Sequence, residues 1–311
     1  MKIGFSFSPG GLLLPYHVGV ISSLVYYNQL DDTTPLAGSS AGAIAIAAHS
    51  CNVNPHKVVD ATIAVSNTCQ SRYGKARGNL LPLLNEQFEQ LIDEDRFQAC
   101  QTSQGIVGVA YKEIFPRRKN YLQTTFETRQ ELFRAVNYSC MFPFFATKYP
   151  CILETKNNKD GSWLPRLMID GFFSVPREQF GCPKFETNDE DDDEDEDNSE
   201  SSSSIRTVAV SCFPKDRLRI TAFDDDDIIC PGDEDVDLGY LFRIATESSS
   251  EQDLIQMYDN GFNDGEQWYW KQQQRQQQKA KQQQQQKQQQ QQERLPRNDP
   301  LGIDGSSLNL N

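Results

Sequence analysis

Histidine is scarce in this chain. There are three in 311 residues, His17, His49 and His56, and none after residue 56. That excludes the hydrolase order in which a catalytic histidine follows nucleophile and acid. Eight cysteines are present but never as Cys-x-x-Cys, so neither a zinc ribbon nor a dithiol redox motif is written here, and the thiols read as reduced. His-Glu-x-x-His is missing, and so is the alternating acidic loop that holds calcium; no metal and no cofactor is expected. No apolar run reaches the roughly 20 residues of a spanning helix. The segments near 12–25 and 41–48 are too short or interrupted. No secretory leader is visible, because a strand begins at Lys2-Ile3. The expectation is an intracellular, cytoplasmic protein.

The formal net charge is −14. Nine consecutive acids, Asp189 to Asp197, carry much of it, and a serine run follows. Such a stretch repels itself and buries nothing. It reads as a disordered insertion over 186–204, so the acidity says little about the surface that does chemistry. Lys271 to Gln292 is rich in glutamine with interspersed cations and almost no apolar face. Its fair helix formers allow it to prolong the helix that begins near Ser248; without an apolar face it reads as disordered or frayed helix, with weak docking on anionic lipid as the functional alternative. One domain over 1–270 and a low-complexity tail over 271–311 follow from these boundaries.

The central motif is Gly38-Ser39-Ser40-Ala41-Gly42, followed by the small helix formers Ala43 to Ala48. This suits a nucleophile elbow, in which a serine sits on a sharp strand-to-helix turn between small neighbours. The helix N-terminus adds unpaired N–H groups and a positive dipole end. A small-residue turn before a packed helix gives the same pattern, so context decides. Upstream, the strand Ile3–Ser8 leads into Pro9-Gly10-Gly11 and then the apolar segment Leu12 to Leu30. Glycines there turn N–H groups toward an anion, either a phosphate or an oxyanion. A phosphate loop would need Lys and Ser/Thr close behind, and a dinucleotide loop a glycine where Leu14 stands; neither is present.

A serine nucleophile needs a base. His17 and His49 fall in helices and read as packing or surface residues, with His17 the reserve. That directs attention to a carboxylate. Leu167-Met168-Ile169-Asp170-Gly171 is an apolar strand ending in Asp-Gly, which frees Asp170 to point into a cleft; an ordinary turn aspartate reads the same way.

These pieces resemble the patatin-like phospholipase family, whose serine in Gly-x-Ser-x-Gly works with an aspartate in Asp-Gly-Gly or Asp-Gly-Ala. Pro9-Gly10-Gly11-Leu12, Gly38-Ser39-Ser40-Ala41-Gly42 and Asp170-Gly171 fall in the family's order. Tyr16-His17-Val18-Gly19-Val20 looks like its first helix, and Ser139 to Pro143 like its Ser-x-x-x-Pro stretch. Val210 to Pro214, Ile229 to Asp233 and Met257 to Gly265 are similar to the adipose triglyceride lipase branch. The resemblance covers about residues 2–270.

It implies Ser40 as nucleophile, Asp170 as general base, and N–H groups of Gly10, Gly11 and Leu12 as the oxyanion hole, with Gly38 and Gly42 flanking the elbow. It implies hydrolysis of triacylglycerol or phospholipid esters, no cofactor, and a membrane or lipid-droplet surface as partner. Nucleic acid is not a partner, and any protein co-activator is unspecified. Phe142, Phe144 and Phe172 are candidate acyl-chain contacts, though core burial explains such clusters equally well. Two departures stand out: Leu14 replaces a glycine, and Phe172 replaces the small residue after Asp-Gly. Phe172 beside the base keeps open a second reading, a catalytically impaired protein that binds lipid or a lipase.

Alternating strand and helix signals predict an α/β sandwich with a mostly parallel central sheet, and the resemblance implies that it is the patatin-like α/β/α sandwich. Strands are expected near 3–8, before Gly38, and near 106–111, 121–126, 149–154, 166–170 and 205–211. Helices are expected near 12–30, 41–50, 54–68, 84–98 and 128–137, and from about Ser248.

Overall fold

A computed structural model describes residues 2–102, 104–155, 164–185, 205–232 and 236–293. It divides into two compact units, Met1–Tyr269 and Trp270–Asn311. The acidic insertion and the segment 294–311 lie outside the described residues.

In the first unit, β1 (Ile3–Phe7) passes through a 3-10 turn at Gly11–Leu13 into α1 (Leu14–Tyr26). β2 (Leu36–Gly38) passes into α2 (Ala41–Ser50), then α3 (Pro55–Thr68) and a π-turn at Cys69–Tyr73. Next come α4 (Leu80–Leu91), α5 (Glu94–Thr102), β3 (Val107–Phe115), β4 (Asn120–Gln123) and α6 (Arg129–Ser139). β5 (Ile152–Glu154), β6 (Arg166–Ile169), β7 (Arg206–Val210), α7 (Lys215–Leu218), β8 (Ile228–Ile229) and α8 (Leu238–Thr246) complete the run before α9 (Glu251–Glu293).

Local chemistry explains the helix starts. Asn54 accepts the His56 N–H at 2.9 Å ahead of Pro55, whose fixed φ suits a first helical position. Thr128 accepts the Glu131 N–H at 3.2 Å, and the Glu131 carboxylate turns back to the Glu127 N–H at 2.9 Å. The single helix expected over 84–98 is in fact two. The chain leaves the helix at Ile92, and Asp93 accepts the Arg96 N–H at 2.9 Å to start α5.

The sheet runs in the order β5-β6-β3-β2-β1-β7-β8, with β4 also paired to β3. β3, β2, β1, β7 and β8 are mutually parallel, whereas β4, β5 and β6 enter by antiparallel pairing. The architecture is therefore mixed α/β around a mostly parallel sheet. β1 is buried from Gly4 to Phe7, as a strand covered on both faces must be. Chain order reverses at β1: β2 lies on one side of it and β7 on the other. Loops leaving such a point open a crevice at the carboxyl ends of the strands.

β3 sets the position of the site. It pairs with β2 only over Val107–Val109 and continues to Phe115. β6 runs back along that extension, with Ile169 opposite Lys112. Its carboxyl end thereby arrives beside the carboxyl end of β2. A buried carboxylate helps hold the pairing. Glu113 accepts from Arg166 Nε at 2.9 Å and Nη2 at 2.6 Å, from the Tyr121 hydroxyl at 3.0 Å and from the Arg117 N–H at 3.1 Å.

The start of α9 packs on α1, where the Tyr16 hydroxyl donates to Asp264 at 2.7 Å, and Trp268 stands edge-on to Phe5 at 5.7 Å. In the second unit the helix continues to Glu293. Over Lys271 to Gln292 the chain prolongs the helix expected from about Ser248, in place of the disorder or fraying otherwise expected there. Gln, Lys and Arg are good helix formers, and neither glycine nor proline interrupts the run. No helix among the described residues is long and apolar enough to cross a membrane.

Candidate functional site

Ser40 lies between β2 and α2 with φ 53° and ψ −121°. Few non-glycine residues adopt that backbone, and it is held here by its surroundings. Ser39 N–H donates to the Phe7 carbonyl at 3.0 Å, tying the turn to the end of β1. Ser40 N–H donates to Ser139 Oγ at 2.8 Å. A Cβ on Gly42 would meet the Phe7 carbonyl oxygen at 2.4 Å, so the first turn of α2 packs onto β1 only without a side chain there. The Ser40 side chain does not cap its own helix, which leaves the half-buried hydroxyl for other work.

Asp170 follows β6 and is fully buried. Its N–H donates to the Met141 carbonyl at 3.0 Å, and its Oδ1 accepts the Phe172 N–H at 2.8 Å. Oδ2 is buried with no hydrogen-bond partner. Burial lifts the carboxyl to about 7, against the opposing pull of the Phe172 N–H and of the nearby Ser40 hydroxyl. Ser40 thus lies close enough to favour the carboxylate, although no hydrogen bond to Oδ2 is closed. Cys140 lies against both groups. Burial pushes its thiol far up, so it stays protonated and does not compete as a nucleophile.

The glycine loop follows β1, the strand adjoining β2. Gly11 has φ +56°, and a Cβ there would meet the Ala245 carbonyl oxygen at 2.3 Å. The N–H groups of Gly10, Gly11 and Leu12 lead the 3-10 turn, and none donates to a described backbone carbonyl. His17 is fully buried, with Nε2 2.8 Å from the Ser8 carbonyl oxygen. It acts behind the loop, and no contact joins it to Ser40. Burial lowers it to about 4, so it is neutral at ordinary pH. His49 lies at the far end of α2 and lines a different, small pocket with Asp31 and Asp32.

A cleft of about 900 Å³ opens beside this loop. Gly10 and Gly11 line it, as do Phe142, Phe145, Phe172, Phe180, Phe213 and Phe242. Of the three expected acyl contacts, Phe142 and Phe172 are there. Phe144 is not: it is 56% exposed, with φ 58°, and Phe145 takes the inward position. The Phe172 ring packs with Phe142, Phe173 and Phe180 in the cleft wall. Neither Ser40 nor Asp170 lines the cleft directly; Phe172 in the lining is tied to Asp170 by its N–H at 2.8 Å. Phe180, Phe213 and Phe242 come from segments in which periodicity marks no function. Phe213 alone carried a signal: it lies just beyond a predicted strand end, in the Val210 to Pro214 patch singled out by resemblance.

Among the described residues no group of three or more His, Cys, Asp or Glu side chains converges as a metal site would require. The arrangement supplies a strained serine, a buried carboxylate of raised pKa, free backbone donors and an aromatic cleft.

No protein-family model matches the chain, and no curated protein matches it. A solved structure with some likeness is the crystal structure of VipD from Legionella pneumophila, at 10% identity and a TM-score of 0.44, over 86% of this chain and 66% of that one. The chain spans less than two-thirds of that neighbour's length, and so distant a likeness carries no argument about activity.

Proposed function

We propose that this chain is a serine carboxylic ester hydrolase acting on acyl lipids, triacylglycerol or phospholipid, through a Ser40–Asp170 dyad. The observation that carries the reading is Ser40 at φ 53° close to a fully buried Asp170 lifted to about 7. In the ionised state Asp170 takes the proton as Ser40 Oγ bonds to the ester carbonyl carbon. The oxyanion is met by N–H groups of the Gly10–Leu12 loop, each worth roughly 3–4 kcal/mol in comparable sites. The tetrahedral adduct collapses, the alcohol leaves with the proton, and water releases the acid from the acyl-enzyme by the same route. The phenylalanine-lined cleft suits a fatty acyl chain. The patatin-like resemblance supports the same assignment, and a peripheral place at a membrane or droplet surface follows from the substrate.

One observation favours the second reading, a lipid-binding protein without turnover: Asp170 Oδ2 is unpartnered and the Ser40 bond is open. Labelling with a fluorophosphonate probe separates the two. The hydrolase reading expects labelling that disappears in Ser40→Ala and falls sharply in Asp170→Asn. A folded wild-type protein that takes no label would overturn it.

A further inference from the structure

Two loops meet at the outer edge of the aromatic cleft. The first runs from the π-turn through Arg77 and the second from Phe142 to Tyr149. They are joined by the Gly78 N–H on the Phe145 carbonyl at 2.6 Å, the Leu81 N–H on the Ala146 carbonyl at 2.9 Å, and Arg77 Nε on the Phe144 carbonyl at 3.4 Å. Their charge is one-sided. No acid occurs between Asp60 and Glu86 or between Glu131 and Glu154, in a chain of net charge −14. Lys75 and Arg77 line the cleft, Lys148 lies beside Gly78, and all three are exposed and outside every ion pair found among the described residues. Glu247 is the acidic residue of the cleft lining.

The same edge exposes aromatic surface. Phe144 is 56% exposed and Tyr149 71%, and the Phe144 N–H donates to the Tyr149 carbonyl at 3.2 Å. Phe144 sits in left-handed backbone, which a bulky side chain seldom adopts, so the loop presents its ring to solvent instead of folding it inward. Exposed rings among cations match the headgroup region of a bilayer, where aromatic side chains partition and each cation adds attraction to anionic lipid.

We infer that this edge is a docking surface for a phospholipid bilayer bearing anionic headgroups, with Phe144 and Tyr149 inserting and Lys75, Arg77 and Lys148 meeting the charge. The purpose of the surface rests on the lipid-hydrolase reading; its test does not. Docked this way, the mouth of the cleft faces the lipid, and an acyl chain enters without crossing water.

The test is flotation of the full chain carrying Ser40→Ala with two sets of vesicles, phosphatidylcholine alone and phosphatidylcholine mixed with phosphatidylserine. Stronger binding to the anionic set is expected. Lys75→Ala with Arg77→Ala should lower that binding roughly thirtyfold, from the usual contribution per cation. The charge-preserving swap Lys75→Arg with Arg77→Lys should retain it, and Phe144→Ser should weaken binding to both sets. Circular dichroism melting of each variant identifies any that has not folded. Equal binding to both vesicle sets overturns the inference. So does an anionic preference untouched by the double alanine variant, which would move the contact to the cationic Gln-rich helix. Turnover of a soluble short-chain ester by the wild-type chain is scored separately: its failure sinks the hydrolase reading and leaves vesicle binding to decide the surface.

Discussion

The Phe172 N–H donates to Asp170 Oδ1 at 2.8 Å, while Oδ2 of the same carboxyl is buried without a partner. One oxygen is pinned and the other is held dry. The single backbone donor favours the charged form but does not offset the cost of burying it, and the carboxyl rises from 3.8 to about 7.

The linkage has a definite sign. The folded state binds the Asp170 proton more tightly than the unfolded chain does, so this group lowers stability as pH rises from about 4 to about 7 and holds the full cost above that. Asp170→Asn removes the charge and keeps an acceptor for the Phe172 N–H. The variant should melt higher than wild type at about pH 8, by an amount on the order of a few kcal/mol at most, with a smaller gap near pH 5. Thermal melts at the two pH values check this. A gap that widens toward acid would contradict the buried, raised carboxyl.

The same shift sets a rate profile. On the proposed dyad, only ionised Asp170 takes the Ser40 proton, so kcat/KM for a soluble ester should fall on the acid side with an apparent pKa near 7. A limb centred near the ordinary carboxylate range, or no limb, would remove Asp170 from the base role.

Ser40 carries strain that its side chain does not require. Backbone at φ 53° and ψ −121° suits glycine, and relieving it is worth on the order of 1 kcal/mol. Ser40→Gly should therefore equal or exceed wild type in chemical denaturation, whereas Ser40→Ala, which keeps a Cβ, should not gain. Both should lose all probe labelling. A clear loss of stability in the glycine variant would mean that the turn is not strained.

Much of this site was legible in the sequence because its chemistry is local. Gly-x-Ser-x-Gly marks a tight turn whatever surrounds it, and Asp170-Gly171 marks a strand end. What brings Ser40 and Asp170 together was not legible: it is the overhang of β3 beyond β2 and the antiparallel return of β6, a register set by long-range pairing. The cleft wall was legible only in part, since an aromatic run such as Phe142 to Phe145 does not reveal which ring turns inward. That depends on the left-handed backbone at Phe144. The break at Ile92 was missed because Asp93 restarts the helix with its side chain, which apolar periodicity does not register.

His17 gives the last prediction. Its Nε2 lies 2.8 Å from the Ser8 carbonyl oxygen, an acceptor that fixes the proton on Nε2 in the neutral ring. Ser8 opens the loop that carries Gly10 and Gly11, so this contact ties the loop to α1. His17→Phe fills the space but leaves the carbonyl buried without a donor, at a cost of about 1–3 kcal/mol. If the loop supplies the oxyanion hole, kcat on a soluble ester should drop severalfold with KM nearly unchanged, because the loss falls on the transition state. His17→Gln, which keeps a donor, should recover part of the rate. The histidine's folded pKa of about 4 lies below its unfolded 6.5, so wild-type stability from this residue is lost as pH falls through that interval. The stability deficit of His17→Phe should accordingly shrink toward acid. A pH-independent deficit with KM and kcat moving together would reduce His17 to ordinary core packing.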